Sequence, residues 1–273
     1  MFLEQLSHVQ QRKPLIHCIT NFVTANDCAN LLLACNASPI MAEDASEVEE
    51  ITALSQGLAI NLGTLHKELI PSMLLAGQKA VALGHPVLLD PVGAGASKLR
   101  TQTAQHLIKE IPFRVIRGNL SELKALSEGK SKTKGVDADA SDALTKDSLE
   151  ATVDFAKRFS AVTGAIIAIS GAIDVVADVS QAYCITNGHP MMRRVTGTGC
   201  MLSAMITAYL AANPDSPLEA TAAAVCAMGI CGEMAYQRMT PLDGNATYRN
   251  YLIDAVYLLT PEELERSARY EMR

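Results

Sequence analysis

The chain has 273 residues, 49% of them apolar and 19% charged, with a net charge of −6. That apolar share excludes a disordered chain and suffices for one domain with a large core. The acidic balance argues against a general nucleic-acid or membrane-surface binder. With 4% aromatic residues and no tryptophan, the chain is also poor material for an all-β recognition module or a base-stacking platform. The seven cysteines, Cys18, Cys28, Cys35, Cys184, Cys200, Cys226 and Cys231, are odd in number and form no C-x-x-C pair. This predicts free thiols in a reducing cytosol rather than a disulfide framework or a zinc site. Glu4 interrupts the N-terminus before an apolar stretch develops, and the most apolar long segment, 161–179, carries Asp174, Asp178 and two glycines. The expectation is a cytoplasmic protein without a secretion signal or a membrane span.

In chain order, short aliphatic or β-branched runs predict strands at 39–41, 58–62, 87–89, 115–116 and 165–169. Helices are predicted between and after them at 25–35, 46–54, 66–83, 98–110, 121–127 and 146–159. This alternation predicts right-handed crossovers and a mostly parallel central sheet with helices on both faces. After Ser170 the pattern changes. Residues 173–178 and 182–186 flank Val179-Ser180-Gln181 as a hairpin at the sheet edge. Ala-rich helices follow at 200–212 and 217–236. The second carries only Glu219 and Glu233 as charges, so core or a partner subunit must bury it on more than one side. The polar segment 127–148 reads as a mobile loop inside one domain, 1–273, because strand–helix alternation resumes beyond it.

The residues that carry chemistry stand where predicted strands end. Val195-Thr196-Gly197-Thr198-Gly199-Cys200-Met201 opens a helix. Two glycines there let backbone N–H groups converge on an anion in the field of the helix dipole, although the same residues also suit an ordinary tight turn with a Thr cap. Cys200 lies in the first helical turn, where the dipole predicts a lowered thiol pKa; it reads as a nucleophile, a general base or a small buried hydrophobe. Asp90 ends the strand 87–89 and leads into Pro91-Val92-Gly93. It reads either as a turn-initiating residue or as a metal or phosphate group at the carboxyl edge of the sheet.

The next strand ends in Arg117-Gly118-Asn119-Leu120-Ser121-Glu122. Asn119 and Glu122 have capping-box spacing; the functional alternative places them beside a hydrated Mg²⁺, with Arg117 on a polyphosphate. Ser170 closes the strand 165–169. Near the N-terminus, Asn21 in His17-Cys18-Ile19-Thr20-Asn21 either orients a small polar ligand or caps a turn. His17 has no evident partner and reads as structural.

Taken together, Asp90, Asn119-x-x-Glu122 and Gly197-Thr198-Gly199 before a helix resemble the ribokinase superfamily of small-molecule kinases. More narrowly, the chain resembles the hydroxyethylthiazole kinase family. The blocks that carry the likeness are Pro14-Leu15-Ile16-His17-Cys18-Ile19-Thr20-Asn21, Ser38-Pro39-Ile40-Met41-Ala42, Asn61-Leu62-Gly63-Thr64-Leu65, Leu89-Asp90-Pro91-Val92-Gly93-Ala94, Ile116-Arg117-Gly118-Asn119-x-x-Glu122 and Val195-Thr196-Gly197-Thr198-Gly199-Cys200.

The resemblance implies a ribokinase-like three-layer α/β sandwich. It implies Mg²⁺-dependent transfer of a phosphoryl group from ATP to the alcohol of 4-methyl-5-(2-hydroxyethyl)thiazole, in thiamin biosynthesis or salvage. By matching position, Met41, Asn21, Gly63, Thr64 and Gly197 lie on the thiazole side. Arg117, Ser170 and Asn119 lie on the ATP side, Asp90 and Glu122 near the metal, and Gly197, Thr198, Gly199 and Cys200 at the site of transfer. Cys200 stands where most superfamily members have a catalytic Asp, which implies a slow enzyme that relies on amide donors and the metal. The resemblance further implies a homotrimer with interfacial active sites, and the chain itself shows no added domain for joining thiazole to pyrimidine, so a bifunctional enzyme is not expected. The competing readings are a sister kinase for hydroxymethylpyrimidine or a sugar, a cysteine hydrolase or transferase using Cys200 with His17 or His189, and a non-catalytic ligand-binding relative.

Overall fold

Strands buried on both faces read as continuous apolar runs, not as alternating ones, and Leu58-Ala59-Ile60 and Val87-Leu88-Leu89 are such runs. In the computed structural model, which describes residues 2–128 and 146–273, they form the middle of a nine-stranded sheet. Its strands are β1 (Leu15–Ile19), β2 (Ser38–Ile40), β3 (Gly57–Asn61), β4 (Val87–Asp90), β5 (Val115–Asn119), β6 (Ile166–Ser170), β7 (Asp174–Ala177), β8 (Ala182–Ile185) and β9 (Tyr270–Met272), in the order β2-β1-β3-β4-β5-β6-β7-β8-β9. The six strands from β2 to β6 run parallel, and β7, β8 and β9 add on antiparallel.

Alternate residues of each strand feed two separate cores. Ile16, Cys18, Ala59, Leu88, Val115 and Ala168 face helices α1 (Leu3–Arg12), α2 (Ala25–Ala34), α8 (Thr198–Ala212), α9 (Pro217–Gln237), α10 (Asn245–Leu258) and α11 (Pro261–Ser267). Leu58, Ile60, Leu89, Ile116, Ile167 and Ile169 face α3 (Val48–Leu54), α4 (Leu69–Ala82), α5 (Lys98–Glu110), α6 (Leu120–Glu128) and α7 (Lys146–Thr163). The result is the predicted three-layer sandwich with a mostly parallel sheet.

Three features depart from the sequence reading, and one open alternative is decided. The strand β1 was not among the predicted strands, because His17 and Cys18 interrupt its apolar run. Inside the fold the His17 ring is bonded to Thr52 Oγ1 (2.9 Å) and the Ala42 carbonyl (3.0 Å), and Cys18 packs as a small hydrophobe. The hairpin β7–β8 forms as predicted, but β9 pairs outside it, so the hairpin is not the sheet edge. The Ala-rich helices α8 and α9 are covered by their own chain, between the sheet and α1, α2, α10 and α11, and need no partner subunit to bury them. Among the described residues, the helix long and apolar enough to cross a membrane is α9, not 161–179, and it is mostly buried inside the protein. Residues 129–145 of the predicted loop 127–148 lie outside the described residues.

The sheet also places the site. From β1 the chain moves outward to β2, then returns to β3 on the other side of β1 and continues toward β6. Strand order therefore reverses between β1 and β3. In open α/β sheets the crevice beyond the carboxyl ends of the strands at such a reversal is where ligands bind.

Candidate active site

Five parallel strands deliver polar residues to that one edge: Asn21 just after β1, Asn61 at the end of β3, Asp90 at the end of β4, Arg117 and Asn119 on β5, and Ser170 at the end of β6. The N-terminus of α8 arrives from the opposite layer. Its cap, Gly197, has φ 85°, a left-handed conformation that glycine adopts without a Cβ penalty.

Cys200 sits in the first turn of α8, and its sulfur accepts N–H bonds from the side chains of Asn21 and Asn61, each at 3.3 Å. Neither His17, locked by Thr52 and Ala42, nor His189, stacked on Tyr236 and accepting from the Met191 amide, is bonded to this sulfur. The histidine–cysteine pair that a hydrolase reading requires is therefore not assembled. The expected low thiol pKa is also overturned. Burial, and then the Asp90 carboxylate, push the Cys200 thiol above its ordinary value, and hydrogen bonds from Thr24 and Asn21 and the charge of Arg117 do not compensate.

Asp90 is buried. Its Oδ2 accepts from Asn61 Nδ2 at 2.9 Å and Ser203 Oγ at 2.7 Å, and Arg117 Nη1 stands 3.7 Å away. Its Oδ1 has no hydrogen-bond partner among the described residues, and the same is true of Arg117 Nε. Burying a carboxylate oxygen without a donor is costly, and here burial drives the carboxyl pKa up against the pull of Arg117. An oxygen held in this way is a ready ligand for a hard cation, which binds one or two carboxylates and completes its shell with waters and phosphate oxygens. No group of three or more metal-binding side chains is found among the described residues.

Glu122 realises the capping-box spacing. Its backbone N–H donates to Asn119 Oδ1 (2.8 Å), and its carboxylate accepts from the Asn119 and Gly93 amides at 2.9 and 2.8 Å. Asn119 is therefore first a cap. Burial and the neighbouring Asp90 push the Glu122 carboxyl up to about 7. Because the folded protein then holds a proton that the unfolded chain has released, this group favours folding most at low pH, and the contribution is lost as pH rises to about 7. In metal-free protein the urea midpoint is expected to fall between pH 5 and pH 8, and Glu122→Gln is expected to flatten that fall. An unchanged slope in the variant would contradict the assignment.

Arg117 joins the two halves of the crevice. Its Nη2 donates to Ser170 Oγ at 2.7 Å, and its guanidinium lies so close to Gly199 that a Cβ there would stand 2.5 Å from Nη1. On the other flank, Phe22 N–H bonds Thr64 Oγ1 (3.4 Å) and the Gly63 amide bonds Asn61 Oδ1 (2.8 Å). Met41 follows β2, one strand outward from Asn21, and is 36% exposed.

The structure thus brings Asn21, Asp90, Arg117, Asn119, Glu122, Ser170 and the 197–200 turn to one crevice, with Gly63 and Thr64 in the turn after β3 beside Phe22 and Asn61, and Met41 farther along the same sheet edge after β2. The sequence reading gave no role to Asn61 or Ser203, although both bond Asp90. Asn61 was visible as the polar end of an apolar strand; Ser203, inside an Ala-rich helix, offered no such signal.

Comparison with known proteins agrees with this arrangement. The profile of the hydroxyethylthiazole kinase family matches residues 6–262. A hydroxyethylthiazole kinase of Clostridium acetobutylicum is 60% identical over 99% of both chains. The solved structure of a hydroxyethylthiazole kinase protein from Pyrococcus horikoshii superposes with a TM-score of 0.88 at 33% identity, covering 100% of this chain and 98% of that one. A ribokinase-like superfamily protein from Enterococcus faecalis, at 14% identity and a TM-score of 0.61 over 96% of this chain and 89% of its own, shares the fold. On sequence and on fold, the chain belongs to the hydroxyethylthiazole kinase family.

Proposed function

We propose that the protein phosphorylates the hydroxyl of 4-methyl-5-(2-hydroxyethyl)thiazole with ATP, as one domain spanning 1–273, for thiamin biosynthesis or salvage. The observation that carries this reading is the meeting of the α8 N-terminus, Asp90 and Arg117 across one crevice. Phosphoryl transfer needs in-line positioning and charge stabilisation more than covalent help.

Arg117 and Ser170, already bonded to each other, are assigned to the ATP phosphates, with Asn119 beside them. The free amides at Gly197, Thr198 and Gly199 are directed at the transferred phosphoryl group. Asn21, Met41, Gly63, Thr64 and Gly197 line the thiazole side. Asp90 and Glu122 would hold Mg²⁺ together with waters and the phosphates, the free Asp90 oxygen being the direct ligand. When bound, the ion supplies charge neutralisation on the phosphates. The alcohol oxygen attacks the γ-phosphorus, the bond to the β-bridging oxygen breaks and ADP leaves. Because burial keeps Cys200 a thiol, its part is to orient the alcohol, whose proton leaves late, to a phosphoryl oxygen.

Two further parts of the reading rest on surface and thiol chemistry. Phe22 (81% exposed) and Val23 (56%) project from the loop beside Asn21, an apolar rim that suits a homotrimer with sites at subunit boundaries. Seven free cysteines, six of them buried, suit a cytoplasmic location.

The test is ADP release with Mg-ATP and the thiazole alcohol, run beside hydroxymethylpyrimidine and ribose. ADP with the thiazole alone, and a phosphate ester of the right mass, is the expected result; ADP only with another alcohol would overturn the substrate. Cys200→Ala is expected to lower kcat modestly, about tenfold, and Cys200→Asp to preserve or raise it, since the two amides and the helix terminus suit a carboxylate. Total loss in Cys200→Ala would contradict the orienting role.

A further inference from the structure

Asn61 makes every hydrogen bond that its side chain can make. Its amide nitrogen donates one hydrogen to Asp90 Oδ2 (2.9 Å) and the other to the Cys200 sulfur (3.3 Å). Its oxygen accepts from Asn21 Nδ2 (3.0 Å) and from the Gly63 amide (2.8 Å). The amide can stand only this way round: turned over, its oxygen would face the Asp90 carboxylate and its NH₂ would face the Gly63 N–H. Asn21 is equally committed. Its oxygen accepts from Thr24 N and Thr24 Oγ1, and its nitrogen donates to Asn61 and to Cys200. Both amides are buried, where an unmade bond costs most. The strand β3 and the turn after it thus hold one rigid amide between the two groups on which the proposed chemistry converges.

We infer that Asn61 is the positioning residue of this site, tying the Asp90 carboxylate and the Cys200 sulfur into one hydrogen-bonded unit across the reversal in strand order. This deepens the kinase reading and rests on it for the roles of Asp90 and Cys200. Two consequences follow from the geometry. Asn61 and Ser203 together occupy Oδ2 of Asp90 and leave Oδ1 as the oxygen presented to the ligand. Asn61 and Asn21 approach the sulfur as donors, so the thiol hydrogen lies along neither direction, and the sulfur is held in place relative to the alcohol. The other groups around the sulfur are Asp90 from β4, Arg117 from β5, and Cys28 and Thr24 from α2 and the residue before it.

The test has an arm that needs no substrate. Cys200 is the one cysteine that is not fully buried, so alkylation of native protein at a fixed pH, located by mass spectrometry, reports on this sulfur. Losing one N–H donor to a sulfur that must become anionic before it can react is expected to slow alkylation of Asn61→Leu about tenfold. Iodoacetamide and methyl methanethiosulfonate should slow by the same factor, whereas altered access would affect the two reagents unequally.

In turnover, Asn61→Leu is expected to lower kcat by about tenfold or more, with KM for ATP within about twofold of wild type. Combined with Cys200→Ala, the two losses should multiply to clearly less than their product. Asn61→Asp, the same size but without the NH₂ group, carries the same test if the leucine variant does not accumulate. Unchanged alkylation rates in a folded variant, or strictly multiplicative losses with Cys200→Ala, would overturn the inference. Failure of the wild-type protein to form ADP with the thiazole alcohol would overturn the substrate reading instead, and would leave the alkylation result intact.

Discussion

Asp90→Asn is expected to lower kcat on the order of a thousandfold while leaving the protein folded. Asparagine has the shape of the carboxylate, so its single oxygen can take the place of Oδ2 and go on accepting from Asn61 and Ser203. Its NH₂ then occupies the position of Oδ1, the buried oxygen without a partner. A ligand for a cation becomes a donor that repels one, and the charge that faces Arg117 at 3.7 Å disappears. The guanidinium, now without its counter-charge, is free to leave Ser170 and Gly199 and to bind the phosphates in an unproductive pose. The measurement is kcat and KM for both substrates, with thermal unfolding alongside. Because the buried charge is a burden on the folded state, the variant should melt no lower than wild type. A loss of less than about tenfold in kcat would remove Asp90 from the centre of the reaction.

The stability part of that argument reaches beyond one residue. Three charged groups, Asp90, Glu122 and Arg117, meet at the carboxyl edge of the sheet, and two of them carry acid pKa values raised by burial. A structural ion pair would be arranged to lower them. Raised carboxyl pKa values beside a cation with an unpartnered nitrogen mark a candidate functional site. On the proposed function, bound metal and ATP would supply the opposite charges and the acceptors that the chain itself does not.

Much of this was legible in the sequence, for identifiable reasons. The helix predicted at 98–110 is α5 to the residue, because Ser97 caps it and the strands on either side limit its ends. Asp90, Arg117 and Ser170 could be placed from chain order alone, since each closes a short aliphatic run, and parallel strands must all end at the same edge. What stayed hidden was set by contacts distant in sequence. The strand β1 was obscured by His17, whose partners Thr52 and Ala42 come from elsewhere in the chain. The strand β9 is three residues long and exists because the chain end returns to β8. The thiol of Cys200 was misjudged because a helix terminus is visible in a sequence, whereas burial and a carboxylate 110 positions away in the chain are not. Asn61 belongs to the same class: its role is fixed by Asn21, Asp90 and Cys200 together, and only the folded chain assembles them.

Gly197→Ala is expected to be the second most damaging change, through backbone geometry and not through charge. Gly197 caps α8 at φ 85°, where an L-residue with a Cβ is strained by about 1–2 kcal/mol. Space is as restrictive as conformation, for a Cβ at 197 would lie 2.4 Å from Thr24 Cγ2 and 3.0 Å from Thr24 Cβ. Thr24 cannot simply withdraw, because both its N–H and its hydroxyl hold the oxygen of Asn21, and Asn21 in turn holds Cys200 and Asn61. Relief of the clash must therefore displace either the first turn of α8, with its amides at 198 and 199, or the Asn21–Asn61 unit. On the proposed function, either displacement would take donors away from the transferred phosphoryl group, where one misplaced donor costs about a hundredfold or more in kcat. The alanine variant is accordingly expected to lose about a hundredfold in kcat and to melt several degrees lower. Gly199→Ala makes the contrasting case: the atoms nearest its Cβ would be those of the Arg117 guanidinium, the end of a long side chain that can shift, so it should raise KM for ATP with little change in melting temperature. Equal melting losses in the two variants would mean that Gly197 owes its place to the turn alone, and not to the Thr24–Asn21 contact behind it.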